Sequence, residues 1–210
     1  MVEKFMSNFK QFKTKYQKFG TAYIGLDYQL FTADEIKELK KLCMDVPKEH
    51  ITVGDAGEMN YLNVGRFMID KKNPELVNHK FSEPLLKIIS KNTIKELLSE
   101  ILSINKEEIN FRRIQFNEIG KNCFVGRHLD TDSNPDYLAA CVIQVGDKFE
   151  GGKYRVFQKN EEFIDYSPEY GSLLISDCKY PHEVTKVETG LRGSLVFFIS
   201  THKGENRRVA

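Results

Sequence analysis

An excess of charge of either sign is the first thing this sequence lacks. Lys and Arg number 31 and Asp and Glu 30 among 210 residues, for a net charge of +1. No global basic field is present to gather nucleic acid or an anionic membrane, so neither is an expected partner and recognition must be local. Cysteine is sparse: Cys43, Cys123, Cys141 and Cys178 lie far apart, form no CxxC pair and follow no secretory signal. Reduced thiols and a cytoplasmic location are the simplest reading, with three of the four among apolar residues of a core. No apolar run approaches the ~20 residues needed to span a bilayer. Internal repeats, low-complexity tracts and linkers are absent too. The expectation is a single domain over 1–210 with one sizeable core.

What is present divides into two halves. Phe5, Phe9, Phe12 and Tyr16 recur at helical spacing among lysines, an amphipathic helix whose aromatic stripe packs on the body of the protein. After the strand-like "TAYIGL", Thr32 and Glu35 form a capping box ahead of Ile36, Leu39, Leu42 and Cys43. From His50 to Ile69 the chain reads as loop, interrupted by Gly54, Gly57 and Gly65, and two more helical patterns follow near 84–90 and 93–102. Residues 1–108 are thus expected to give helical support and a lid region.

From Ile109 the period changes. Segments 109–118, 121–128, 137–145, 153–158, 162–166, 171–176, 182–187 and 191–200 are short, rich in Val, Ile, Phe and Tyr, and punctuated by "DSNPD", "FEGG", "PEYG" and "ETGLRG". They predict an antiparallel sandwich or small barrel over 109–202, covered on one outer face by the helices, with 203–210 as a C-terminal tail. The fold class is mainly β with flanking α-helices.

Within that half, "GRHLDTDSNPDY" places His128 and Asp130 one residue apart, which on an extended strand turns both side chains to one face. Two imidazoles and one carboxylate would make a facial triad if His182, in "SDCKYPHEVTKV", joined them, leaving open positions on an octahedral iron. His-x-Asp alone is equally a hydrogen-bonded turn. Arg192 and Ser194, in "GLRGSLVFF", share a strand face with Val196 and Phe198, so a guanidinium would project into an apolar interior. Such a group needs an anion, which a dicarboxylate or a surface glutamate such as Glu188 would supply.

Taken in order, "HLD", "FEGGKYRVF", "YGSLLISDCKYPHEV" and "GLRGSLVFF" resemble the 2-oxoglutarate and Fe(II)-dependent oxygenases, most of all prolyl-4-hydroxylase-type catalytic domains, over roughly 113–202. The resemblance implies a cupin-like double-stranded β-helix (jelly roll) in which His128, Asp130 and His182 bind Fe(II). It also implies that Arg192 and Ser194 hold the distal carboxylate of 2-oxoglutarate. The implied reaction couples decarboxylation of 2-oxoglutarate by O2 to hydroxylation of a C–H bond, with succinate and CO2 as products and ascorbate in support. Asp130 stands where related halogenases carry a small residue, which favours hydroxylation. The tyrosine that relatives often place on the strand before the triad is missing. Arg113, Gln115 and Asn117 alternate on that face instead, and Gln115 and Asn117 are candidates to contact the cosubstrate.

For the substrate, Asp132 past the triad, and Tyr61 and Arg66 in "MNYLNVGRF", are candidate contacts; that segment reads either as a lid or as an edge strand. Tyr154 and Arg155 either line the pocket or alternate in and out of a sheet, and His50, His79 and His202 read as surface or structural. A small molecule such as a free amino acid is the expected substrate. Prolyl or lysyl hydroxylation of a peptide or protein is the alternative, and a non-catalytic cupin-like metal protein is the alternative of a different class.

Overall fold

The structure is a computed structural model that describes residues 2–54 and 56–208, with side chains from Phe9 onward except at Asn60. Phe5, the first residue of the expected aromatic stripe, lies outside the described side chains. Helix α1 (Val2–Phe19) buries Phe9 and Phe12, and β1 (Thr21–Ile24) follows it directly. Helix α2 (Ala33–Asp45) starts at the capping box: the Glu35 amide donates to Thr32 Oγ1 at 3.1 Å and the Thr32 amide to Glu35 Oε2 at 2.8 Å. Such a cap contributes about 1 kcal/mol and fixes where the helix begins.

The stretch read as loop from His50 to Ile69 is a β-hairpin. Strand β2 (Lys48–Val53) pairs with β3 (Met59–Asp70), and β3 pairs on its other side with β5, so β3 is not an edge strand either. The glycines misled because they serve the hairpin: Gly57, at φ +79°, lies in its turn, and Gly65 lets Val46 come so close that an added Cβ would lie 2.3 Å from Cγ1.

The chain continues through β4 (Pro74–Leu76), α3 (His79–Ile89) and α4 (Asn92–Leu102), then β5 (Asn110–Ile119), β6 (Val125–His128), β7 (Ala139–Gln144), β8 (Phe149–Gly151) and β9 (Tyr154–Phe157). It ends with β10 (Phe163–Tyr166), β11 (Leu173–Asp177), β12 (His182–Val184), β13 (Val187–Gly190) and β14 (Arg192–Ser200). The major sheet has the order β1-β11-β7-β14-β5-β3-β2, with β4 on β3; a four-stranded sheet has the order β10-β9-β12-β6, and β13 pairs with β8. All pairs are antiparallel. This is the jelly roll with flanking helices.

Alternation along the central strands builds two cores. On β7, Ala139, Cys141 and Ile143 join Leu39, Leu85, Ile94 and Leu98 in the helix-covered layer, while Val142 meets Val125, Val156 and Val184 between the sheets. Each buried aliphatic side chain contributes about 1.5–3 kcal/mol. Residues of this second layer, Leu62, Val64, Val125, Val142 and Val184, share a cavity with a group of polar side chains. Cys43, Cys141 and Cys178 are buried, Cys123 is half-buried, and all four are free thiols. Among the described residues no helix is long and apolar enough to cross a membrane.

Candidate functional site

His128 closes β6, His182 opens β12, and the two stand directly opposite each other in the register with ring centroids 4.4 Å apart. Asp130 lies in a short turn of 3-10 helix rather than on a strand, but extended Leu129 before it keeps Asp130 on the side of His128. Asp130 Oδ1 lies 3.6 Å from His128 Nε2, and Oδ2 lies 3.6 Å from His182 Nε2. These separations are too long for hydrogen bonds and suit three donors each about 2 Å from one central ion. His128 Nδ1 donates to the Gly126 carbonyl at 2.8 Å and His182 Nδ1 to that of Tyr180 at 3.2 Å, which turns both Nε2 atoms toward Asp130. Burial works against charge on Asp130, but the two imidazoles hold its carboxyl below the usual carboxylate range. Its Oδ2 is buried without a hydrogen-bond partner among the described residues, as expected of an oxygen that serves a cation. The set fits Fe(II).

Arg192 lines the same cavity, of about 150 Å³, and is 2 % exposed. Its Nε and Nη2 have no hydrogen-bond partner among the described residues, and burial pushes its pKa down to about 10. A buried guanidinium with two open donors fits a carboxylate, the group 2-oxoglutarate would bring. Gly152 backs this arm: at φ +54°, an added Cβ would lie 2.9 Å from Arg192 Cδ. The glycine pair read as a turn is also the space through which the arginine stem passes.

Ser194 does not join Arg192 in the cavity. It faces Gln144 across the sheet and donates to Gln144 Oε1 at 3.0 Å. Gln115 and Asn117 line the cavity with Arg113 and Arg66, linked through Gln115, whose Nε2 donates to Asn117 Oδ1 at 2.9 Å and whose Oε1 accepts from Arg113 Nε at 3.0 Å. Tyr61 is 69 % exposed, with its ring 5.3 Å from that of His50, and Asp132 is exposed; neither lines the cavity. Asp136, four residues further on, pairs with Arg207. Just before β3, Glu58 Oε1 accepts the Gly126 amide at 2.7 Å, two residues from the first histidine.

Two residues here carry more than their sequence suggested. Tyr154 is buried and stacks on His182, with ring centroids 5.1 Å apart and 18° between planes. Gln144 keeps a buried Nε2 with no partner among the described residues, behind Ser194. Its signal was legible: a lone amide in the apolar run "ACVIQV".

A family model described as the 2OG-Fe(II) oxygenase superfamily matches residues 114–200. No curated protein matches significantly. An oxidoreductase of the 2OG-Fe(II) oxygenase family from Burkholderia pseudomallei is 33% identical and superposes with a TM-score of 0.90 over 96% of this chain and 94% of its own. A Trichoplax adhaerens prolyl hydroxylase, solved with a hypoxia inducible factor peptide, is 12% identical at a TM-score of 0.70 over 95% and 92%. The epimerase SnoN, solved with Fe3+, alpha ketoglutarate and nogalamycin RO, is 10% identical at 0.69 over 92% and 84%. The last two speak to the fold alone. With that first likeness spanning nearly the whole of both chains, this chain belongs to the 2OG-Fe(II) oxygenase family and is a dioxygenase that uses Fe(II) and 2-oxoglutarate.

Proposed function

We propose that the protein hydroxylates a C–H bond of a small molecule such as a free amino acid, with His128, Asp130 and His182 as iron ligands and Arg192 as the anchor of 2-oxoglutarate. We further propose that 1–210 works as one catalytic domain, since helices and major sheet share one hydrophobic cluster. The observation that carries the site assignment is Arg192, a buried guanidinium with two unused donors in the cavity that also holds the three ligand residues. A metal-binding barrel without catalysis has no use for such a group. Iron with 2-oxoglutarate, when bound, supplies the oxidising chemistry that yields succinate, CO2 and a hydroxylated product.

The chain's own residues do the rest. The Gly126 and Tyr180 carbonyls hold the Nδ1 protons and so keep Nε2 available as a ligand atom. Arg192 fixes the distal end of the cosubstrate and thereby its orientation. Val142, Val196 and Phe198 form an apolar wall that keeps water away. The modest cavity supports a small substrate over a peptide. The test is succinate release by purified protein with Fe(II), ascorbate and 2-oxoglutarate, slow alone and faster with substrate. Absence of both succinate and any thermal stabilisation by Mn(II) with 2-oxoglutarate would overturn the assignment.

A further inference from the structure

We propose that Arg113 recognises a carboxylate of the substrate, so that the enzyme acts on small free carboxylic acids of amino-acid size; this rests on the site assignment above. Five of the eight arginines have a carboxylate partner: Arg66 with Glu49, Arg112 with Asp70, Arg127 with Glu161, Arg155 with Asp165 and Arg207 with Asp136. Among the described residues, Arg113, Arg192 and Arg208 have none within ion-pair distance. Two of these three line the same cavity. Arg192 serves the cosubstrate, and Arg113 is left for a second anion.

Its backbone points the same way. Arg113 sits at φ +33° in a β-bulge: Ile114 pairs with Phe197 but Arg112 with Phe198, leaving Arg113 unpaired in β5. An L side chain held there costs about 1–3 kcal/mol, and bulges recur where a strand must re-aim a side chain at a site. The guanidinium lies 5.6 Å from the centre of the Phe198 ring and bonds only neutral groups, Gln115 Oε1 at 3.0 Å and Ser133 Oγ at 3.3 Å. It is thus oriented but not neutralised. Arg113 also lines a neighbouring groove of about 860 Å³ that contains Lys71 and Arg208, which places it at the junction between the cavity and the outside. Among the described residues lining the cavity the one acidic side chain is Asp130, already assigned to iron, so none of them offers a further carboxylate to select a substrate ammonium. The planar fork of an arginine at such a position selects a carboxylate over its amide.

The experiment measures succinate release with a panel of L-amino acids, their N-acetyl derivatives and their primary amides. Stimulation by acids over matched amides of about tenfold or more in kcat/KM is expected, in line with a charge-assisted contact. Arg113→Gln should raise KM for the best acid and erase the preference, while Arg113→Lys retains part of it. Arg113→Gly removes the φ strain together with the guanidinium. It should melt no lower than the parent and still lose the preference, which separates recognition from folding. Equal stimulation by acids and amides, no stimulation by any acid, or an Arg113→Gln effect confined to KM for 2-oxoglutarate would each overturn the inference. If the parent releases no succinate even without substrate, the site assignment itself fails and takes this inference with it.

Discussion

Asp70 and Arg112 grip each other in the interior, Arg112 Nε 3.0 Å from Asp70 Oδ2 and Nη2 2.5 Å from Oδ1, with both side chains wholly buried. Asp70 Oδ2 also accepts from Asn134 Nδ2 at 3.0 Å and from the Tyr137 hydroxyl at 2.9 Å. Arg112 Nη1 donates to the carbonyls of His202 and Gly204. The pair ties β3 and β5 to the segment after Asp130 and to the C-terminal residues, and so holds the loop that carries the candidate ligand.

Removing one member leaves the other buried and uncompensated. Asp70→Ala should therefore cost about 3–5 kcal/mol of stability, read by urea denaturation at constant slope. A loss below about 1 kcal/mol would show that Arg112 finds another partner or water.

Arg192→Met removes an unpartnered buried cation and fills similar volume, so the protein without cosubstrate should melt at or above the parent temperature. The Mn(II)-dependent stabilisation by 2-oxoglutarate should shrink in the same variant, and KM for 2-oxoglutarate should rise. Unchanged cosubstrate stabilisation would remove Arg192 from the proposed role.

Asp130→Ala should abolish turnover and lower Mn(II) affinity by at least about tenfold while the fold, read by circular dichroism, persists. Full activity would mean that the metal lies elsewhere.

Gly152→Ala forces a side chain onto φ +54° and a Cβ toward Arg192 Cδ. The expected outcome is a loss of about 1–2 kcal/mol together with a raised requirement for 2-oxoglutarate. If stability fell but the requirement held, the turn would matter for folding alone.

Much of this arrangement was legible because period-2 segments with glycine and proline punctuation survive translation into strands, as in 191–200, seen as Arg192–Ser200. The parity of Arg192, Val196 and Phe198 likewise placed them on one cavity wall. The Lys48–Asp70 hairpin was not legible, because Gly65 serves a close contact with Val46 that only the tertiary fold creates. Ser194 was read on the correct face, yet its partner is set by the register of β14 against β7, which one strand's sequence does not contain. Arg113 follows the alternation of Gln115 and Asn117 into the cavity, whereas Arg112 escapes an alternation count: the bulge shifts parity by one residue, sets Arg112 opposite Phe198 and sends it to Asp70.

The facing pair His128 and His182 also has a mechanical meaning. Strand β6 is an edge of the four-stranded sheet and is held to β12 by a ladder with only two registered pairs, His182 with His128 and Val184 with Val125. An ion shared by the two imidazoles would fasten that edge where the ladder is thinnest. Amide exchange over 125–128 should then slow on adding Mn(II) more than exchange in the interior strand β9, with the smallest change in β7. Metal depletion would loosen one margin of the barrel well before the whole domain unfolds, and the exposed edge would be an early target for proteolysis.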